Sequence, residues 1–322
     1  MKIDVAALGE LLIDFTEAGV SAGGMKLFEQ NPGGAPANLL TAVSHMGYQT
    51  AFIGKVGRDM HGEFLKSVLD KENICTEYLI MDDTVFTTLA FVQINKDGER
   101  EFSFARKPGA DTCLRLEEMD QNVLRSCKIF HIGSLSLTDE PAKSATIAAV
   151  RSAKAAGSLI SYDPNYRASL WDSQENAVKT MAGMIKYADL LKVSDEESVL
   201  LTGEHDDKKA AEILLGMGPA VVAVTRGGDG VTLAWNDQIE QIAGLKATAV
   251  DTTGAGDSFW GGFLSRYLQE KKEIQSMSWE EWKACAVYGN ATASLCVQRR
   301  GGIPAIPKKN EVEDLVKRWY QK

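Results

Sequence analysis

The stretch from Leu245 to Leu268 reads LKATAV followed by DTTGAGDSFWGGFLSRYL. A short strand runs into Asp251, a glycine turn at Gly254 to Gly256 and then Asp257. A helix follows, with its apolar face made by Phe259, Phe263, Leu264, Tyr267 and Leu268. Glycines at such a turn let the backbone approach a ligand closely. The first amides of the helix, at Gly254, Ala255 and Gly256, and its positive dipole end point at the same place, which makes an anion hole. A carboxylate at this position is unfavourable for a static phosphate site. It suits phosphoryl transfer, in which one carboxylate orients the attacking hydroxyl and accepts its proton. Taken alone, Asp257 reads equally well as a residue that caps or compensates the helix.

Four further segments carry residues able to bind or catalyse. Gly33-Gly34-Ala35-Pro36-Ala37-Asn38 leads into a helix. Its glycines allow close backbone approach, and the Asn38 amide both donates to and accepts from hydroxyls. YDPNYR, from Tyr162 to Arg167, follows a strand, so Asp163, Asn165 and Arg167 emerge at its carboxyl end; the alternative is an Asx turn beside a surface arginine. KVSDEE holds Ser194 and Glu197. TRGGDG, from Thr225 to Gly230, follows the strand AVVAV and is either a glycine loop that cradles a ligand or a hairpin turn into Val231 to Trp235. The chain has no GxxxxGK[ST] and no HRD with DFG, which excludes the P-loop and protein-kinase solutions, and no GxGxxG after its first strand, which argues against a dinucleotide-dependent oxidoreductase.

The elements that position these residues alternate. Val5 to Ile13 reads as one buried strand, followed by a glycine-bearing loop from Gly19 to Gly34 and a helix that contains Leu39, Leu40, Val43 and Met46. Thr50 to Val56 is a strand and Glu63 to Lys71 a helix. From Thr84 to Arg106 two β-rich runs flank Lys96-Asp97-Gly98, an Asp-Gly hairpin signal, and are read as a small projecting sheet. The rhythm then resumes, with strands at Ile129 to Ile132, Leu159 to Tyr162, Leu190 to Val193 and Ala220 to Val224, and helices at Pro141 to Ala156 and Glu175 to Tyr187. This predicts an α/β fold, doubly wound, with a mostly parallel sheet flanked by helices and its ligands beyond the carboxyl ends of the strands. No low-complexity linker divides residues 1–322, which read as one domain.

Composition narrows the partners. In 322 residues there are 44 acidic and 35 basic side chains, a net charge of −9, which removes the positive field that backbone-driven nucleic-acid binding needs. No apolar stretch approaches the roughly 18 residues of a membrane span, and Asp4 and Glu10 interrupt any signal-like core at the start. Five scattered cysteines, never in CxxC spacing, and four unpaired histidines suggest neither a disulfide framework nor a zinc site. The expected location is the cytoplasm.

DTTGAGD with its glycine-bearing helix resembles the C-terminal signature of the ribokinase-like (PfkB) carbohydrate kinases, and GGAPAN is similar to their N-terminal glycine signature. The order of strands, projecting hairpin and late glycine motif matches over essentially the whole chain. This resemblance implies ATP as phosphoryl donor, Mg2+, a small sugar as acceptor, and a β-sheet lid formed by about residues 14–30 and 84–106. It implies Asp257 as base with Gly254, Ala255 and Gly256 as anion hole, and Asp14, Gly33, Gly34, Asn38, Phe104, Arg106 and Arg167 on the sugar side. Ser194, Thr225, Arg226, Gly227, Gly230, Gly254, Gly256 and Asn290 fall on the nucleotide side. Glu197 carries the magnesium-organising position of an NxxE pattern whose asparagine is here Ser194. Asp251 and the carbonyl of Thr253 correspond to a monovalent-cation (K+) site, although Ala305 stands where ribokinases offer a serine oxygen. Pairing of two lids in a homodimer occurs in the family.

Within the family, REFSFARKPGAD and SYDPNYRASLW look most like fructokinases of bacteria and plants, which implies transfer to the 6-hydroxyl of D-fructose. Ketodeoxygluconate kinases share DPNxR and are the alternative, in which Arg106 and Arg167 would meet a substrate carboxylate. A catalytically silent sugar- or nucleotide-binding regulator is the alternative of another class.

Overall fold

The computed structural model describes residues 2–94 and 100–321; the expected turn at Lys96-Asp97-Gly98 lies outside them. In chain order the first elements are β1 (Val5–Leu8), β2 (Leu12–Val20), β3 (Lys26–Gly33), α1 (Ala35–His45), β4 (Thr50–Gly57), α2 (Met60–Lys71), β5 (Ile74–Cys75), β6 (Leu79–Asp82), β7 (Leu89–Ile94) and β8 (Arg100–Ala105). Then come α3 (Gln121–Ser126), β9 (Ile129–Ile132), α4 (Ala142–Ala155), β10 (Leu159–Tyr162), α5 (Gln174–Ile185), β11 (Leu190–Ser194), α6 (Asp195–Thr202) and α7 (Asp207–Gly216). The last are β12 (Val221–Thr225), β13 (Gly230–Trp235), β14 (Gln238–Ala243), α8 (Ala255–Glu270), α9 (Trp279–Cys296) and α10 (Lys309–Tyr320).

The large sheet runs β14-β13-β12-β11-β10-β9-β1-β4-β5, with β6 also paired to β4. Its centre from β12 to β5 is parallel; β13 and β14 close one edge as an antiparallel hairpin. The strands are short and apolar because both faces are covered. On β1, Val5 and Ala7 point to one core with α1, α2, α8 and α9, while Ala6 and Leu8 point to the other with α3, α4, α5 and α7. Strand order reverses around β1, which places a switch-point crevice at the carboxyl edge.

A second sheet of four strands runs β3-β2-β7-β8. The expected single strand from Val5 to Ile13 is therefore two strands in two sheets. The break falls at Gly9, where a Cβ would lie 2.6 Å from the Pro36 ring, so a glycine is needed for the chain to leave one sheet for the other. The expected loop from Gly19 to Gly34 is the turn and return strand of a β2–β3 hairpin. Its alternation is masked in the sequence because the strand is mostly exposed. In register, Asp14 faces Asn31 on β3 and Ala90 on β7, and Ala90 faces Phe104 on β8. The opposite face carries Phe15, stacked on Phe91 at 5.3 Å, with the edge of Phe28 against Phe91 at 6.1 Å. Among the described residues no helix is long and apolar enough to cross a membrane.

Candidate active site

Parallel pairing of β10 with β11 sets Ser161 beside Leu190 and Tyr162 beside Leu191, so the next residue on each strand, Asp163 and Lys192, meet at the carboxyl edge. They form an ion pair at 2.7 Å with side chains 4% and 7% exposed. Pro164 and Asn165 follow. Asn165 adopts φ 50°, a left-handed conformation that asparagine tolerates better than other residues with a Cβ, and its amide turns toward α8.

There it donates from Nδ2 to Asp257 Oδ1 at 3.1 Å, while Asn38 Nδ2, from the first turn of α1, donates to Oδ2 at 2.8 Å. Each oxygen of the acid is thus held by one amide, with lone-pair capacity left for another donor. Asp257 is 8% exposed, and its carboxyl is pushed up to about 6, chiefly by burial and then by the Asp163 charge; Lys192, Asn38 and Arg167 act against this. Gly254 ends the preceding loop at φ 75°, and no side chain caps α8, so the amides at its start are left to a ligand or solvent. The Ala255 amide itself donates to the Thr252 carbonyl.

The contact between α1 and α8 depends on glycine. A Cβ on Gly261 would lie 2.5 Å from the Ala42 Cβ and 2.9 Å from the Leu39 carbonyl, so only glycine lets the helices approach closely enough for Asn38 to reach Asp257. Gly254 sits against Gly302 and Asn38 in the same way. Asp251 ties this corner together. Its Oδ1 accepts from the amide and hydroxyl of Thr253 at 2.9 and 2.8 Å, and its Oδ2 from the Gly301 amide at 3.0 Å.

Around this centre the expected sugar-side residues fall into two groups. Asp14 lies against Gly33, where a Cβ would collide with the Asp14 carboxylate, and Gly34, at φ 122°, is pressed onto the Glu10 carbonyl. Phe104 is on the same face of the small sheet as Asp14. Arg106 is buried and committed elsewhere. It pairs with Asp111 at 2.7 Å and donates to the Leu135 carbonyl and the Thr138 hydroxyl at 2.8 Å, so it braces the end of β8 against the loop after β9. Arg167 is exposed and donates to the Tyr166 carbonyl.

Nucleotide-side candidates gather further along the carboxyl edge. Ser194 and Thr225 are neighbours in the β11–β12 register. The TRGGDG segment is a hairpin connection: it joins the antiparallel β12 and β13, with Gly227 open to solvent at φ 52° and Gly230 packed on the β14 backbone at φ 102°. Arg226 Nη2 donates to the Asp229 carbonyl at 3.2 Å, and Asn290 Nδ2 to the Ala243 carbonyl at 3.1 Å. Glu197 accepts from the Tyr166 amide at 2.6 Å and from the Ser194 amide at 2.8 Å, inside a capping box with Ser194. Among the described residues no three acidic, histidine or cysteine side chains converge as a metal cage. These donors fit a hydrated Mg2+ held mainly by nucleotide phosphates and do not fit a metal held by protein ligands alone.

Lys192 and its pairing with Asp163 are what sequence reasoning missed. A lysine inside the otherwise apolar LLKVS was the one hint in the sequence, and it does not by itself distinguish a buried lysine from an exposed one.

A doubly wound sheet whose carboxyl edge presents a buried, doubly held acid at an uncapped helix start is an arrangement suited to transferring an anionic group to a hydroxyl. The pfkB family carbohydrate kinase model matches residues 2–309. Fructokinase-2 of Zea mays is 40% identical over 97% of this chain and 93% of its own length. Among solved structures, the fructokinase of Xylella fastidiosa with bound ATP superposes with a TM-score of 0.92 at 30% identity, covering 99% of this chain and 100% of that one. The fructokinase of Vibrio cholerae O395 in its fructose, ADP and calcium ion bound form gives 0.86 at 28% identity, covering 98% and 99%. The chain belongs to the pfkB family of carbohydrate kinases.

Proposed function

We propose that this enzyme transfers the γ-phosphate of ATP to the primary 6-hydroxyl of D-fructose. The observation that carries the reading is the placement of Asp257: buried, oriented by Asn38 and Asn165, and set at the uncapped start of α8. The sugar hydroxyl oxygen forms the new bond to phosphorus, the bond from phosphorus to the ADP oxygen breaks, and the hydroxyl proton passes to Asp257. A carboxyl near 6 is a stronger base than an ordinary aspartate and is still ionised at neutral pH. The amides of Gly254 and Gly256 and the positive end of α8 stabilise charge on the transferring group, the Ala255 amide being taken by the Thr252 carbonyl.

Asp14, Gly33, Gly34 and Asn38 fix the sugar, and the small sheet acts as a lid that brings Phe104 over it, with Arg106 bracing the lid strand and Arg167 reaching the substrate from the rim. A closed lid keeps water from competing for the phosphate. Ser194, Thr225, Arg226, Gly227, Gly230 and Asn290 line the nucleotide side. Mg2+ supplies charge neutralisation on the phosphates when bound, and Glu197 orients its waters. Asp251 and the carbonyl of Thr253 hold K+ beside the turn, with the Asp251 carboxylate also accepting from Thr253 and Gly301. The 40% identity to a plant fructokinase across nearly the whole chain supports fructose over an acid sugar. Residues 1–322 act as one kinase unit, two of which pair through the outer face of the lid. With all five cysteines free, the cytoplasm is a fitting compartment.

The deciding experiment is coupled ADP release against a panel of fructose, ketodeoxygluconate, ribose, adenosine and aminoimidazole riboside. Fructose should give the highest kcat/KM. A higher value with ketodeoxygluconate would overturn the choice of sugar, and no sugar-dependent ADP release at all would overturn the kinase reading.

A further inference from the structure

Behind the Asp257 corner lies a charged pair that the reaction as described above does not use. Lys192 is the single charged residue on β11, where Leu190, Leu191 and Val193 are all packed in the core. Its ammonium meets Asp163 Oδ2 at 2.7 Å, and Asp163 Oδ1 is buried with no hydrogen-bond partner. A buried pair with an orphaned oxygen is a poor device for stability, because apolar side chains of the same volume fill such a site at lower cost. Its location accounts for it better. Lys192 Nζ lies 2.9 Å from the point where a Cβ on Gly256 would stand, directly against the residue before Asp257. A side chain at 256 would therefore have to displace the paired ammonium behind it.

We propose that Lys192 is a positioning residue for phosphoryl transfer: its buried ammonium, held in place by Asp163, is a fixed positive charge behind the α8 turn that keeps Asp257 charged and adds to the anion hole. The charged groups acting on Asp257 are Asp163 and Arg167 from the segment after β10 and Lys192 from β11, while Glu197 from α6 acts on Lys192. Asp163 pushes the Asp257 carboxyl up and Lys192 opposes it, and the ammonium is itself kept protonated by Asp163, Glu197 and Asp257. Without Lys192, Asp257 and Asp163 would be two buried carboxylates sharing one corner, an arrangement in which one of them is neutral. The ammonium stays protonated throughout and exchanges no proton with the substrate. Of the titratable rings nearby, His131 on β9 is depressed to about 3 by burial and the Lys192 charge, and Tyr162 on β10 is raised well above its ordinary value by burial, so both are neutral.

This inference rests on the kinase reading, and the two fail separately. Wild-type enzyme is first shown to release ADP with fructose; absence of turnover with every sugar in the panel overturns the kinase reading and leaves no transfer for Lys192 to serve. Lys192→Met is then compared with the double variant Lys192→Met/Asp163→Leu, which removes both charges and refills the volume. The expected result is a kcat about 30-fold or more below wild type in both, with the fructose KM within about 3-fold, as for a group acting in the transition state. The double variant should recover the melting temperature that the single one loses. Recovery of kcat along with stability in the double variant would show the pair to be structural only and overturn the proposal, as would a loss confined to KM.

Discussion

Asp257 is held at each oxygen by an asparagine amide and buried beside a second acid, so its proton affinity and its orientation come from different neighbours. The expected consequence of Asp257→Asn is a fall in kcat of about 10^3-fold with the fructose KM nearly unchanged, since the lost group acts on the proton in flight. The pH dependence follows from the same carboxyl. Raised from 3.8 to about 6, it must be ionised to accept a proton, so kcat/KM climbs as pH rises through about 6 and levels off above 7. A steady-state pH profile that is flat from 5 to 8 would contradict Asp257 as base.

At the scale of elements, the catalytic distance between Asn38 and Asp257 is set by the α1–α8 crossing, and that crossing by Gly261. Gly261→Ala inserts a methyl where Ala42 and the Leu39 carbonyl already stand. An overpacking cost of about 1–3 kcal/mol is expected, together with a lower kcat from the displaced Asn38 amide; denaturant unfolding and turnover measure the two. A second element-level device joins the sheets. Glu10, between β1 and β2, is 3% exposed and accepts from the Ala35 amide at 2.9 Å, and burial pushes its carboxyl up to about 7. Its folded value lies above the unfolded 4.5, so the stability it contributes is full below about 4.5 and is lost as pH rises through about 7. Glu10→Gln keeps an acceptor for Ala35 without the charge. In denaturant unfolding it should match wild type near pH 4.5 and be the more stable at pH 8, by an amount on the order of 1–3 kcal/mol.

For the whole molecule, the small sheet has one polar face with Asp14 and one aromatic face with Phe15, Phe28 and Phe91, of which Phe28 is 42% and Phe91 39% exposed. A face of this kind on a projecting sheet is suited to cover by a second copy. Phe28→Asp is expected to convert a dimer to a monomer in light scattering after size exclusion, while Asp257 and its partners stay in place. A wild-type chain that is monomeric at all concentrations would remove the lid dimer.

The doubly wound fold, the glycine turn before α8 and the two signatures were legible in the sequence because they are local: short apolar runs, turn residues and a helix start are written in consecutive positions. DTTGAGD and GGAPAN already placed an acid at a helix start and an amide near a glycine bend. The hydrogen bond between Asn38 and Asp257 spans 219 positions and exists only because two helices touch at Gly261. The break of the first apolar run into two sheets was invisible for a related reason, since a buried strand in either sheet has the same residue types. Lys192 was hidden inside a strand whose neighbours are apolar, and no local pattern tells a buried lysine from a strand-end one. Its partner is supplied by the register between β10 and β11, which depends on how strands assemble in space and not on the order of residues along either one.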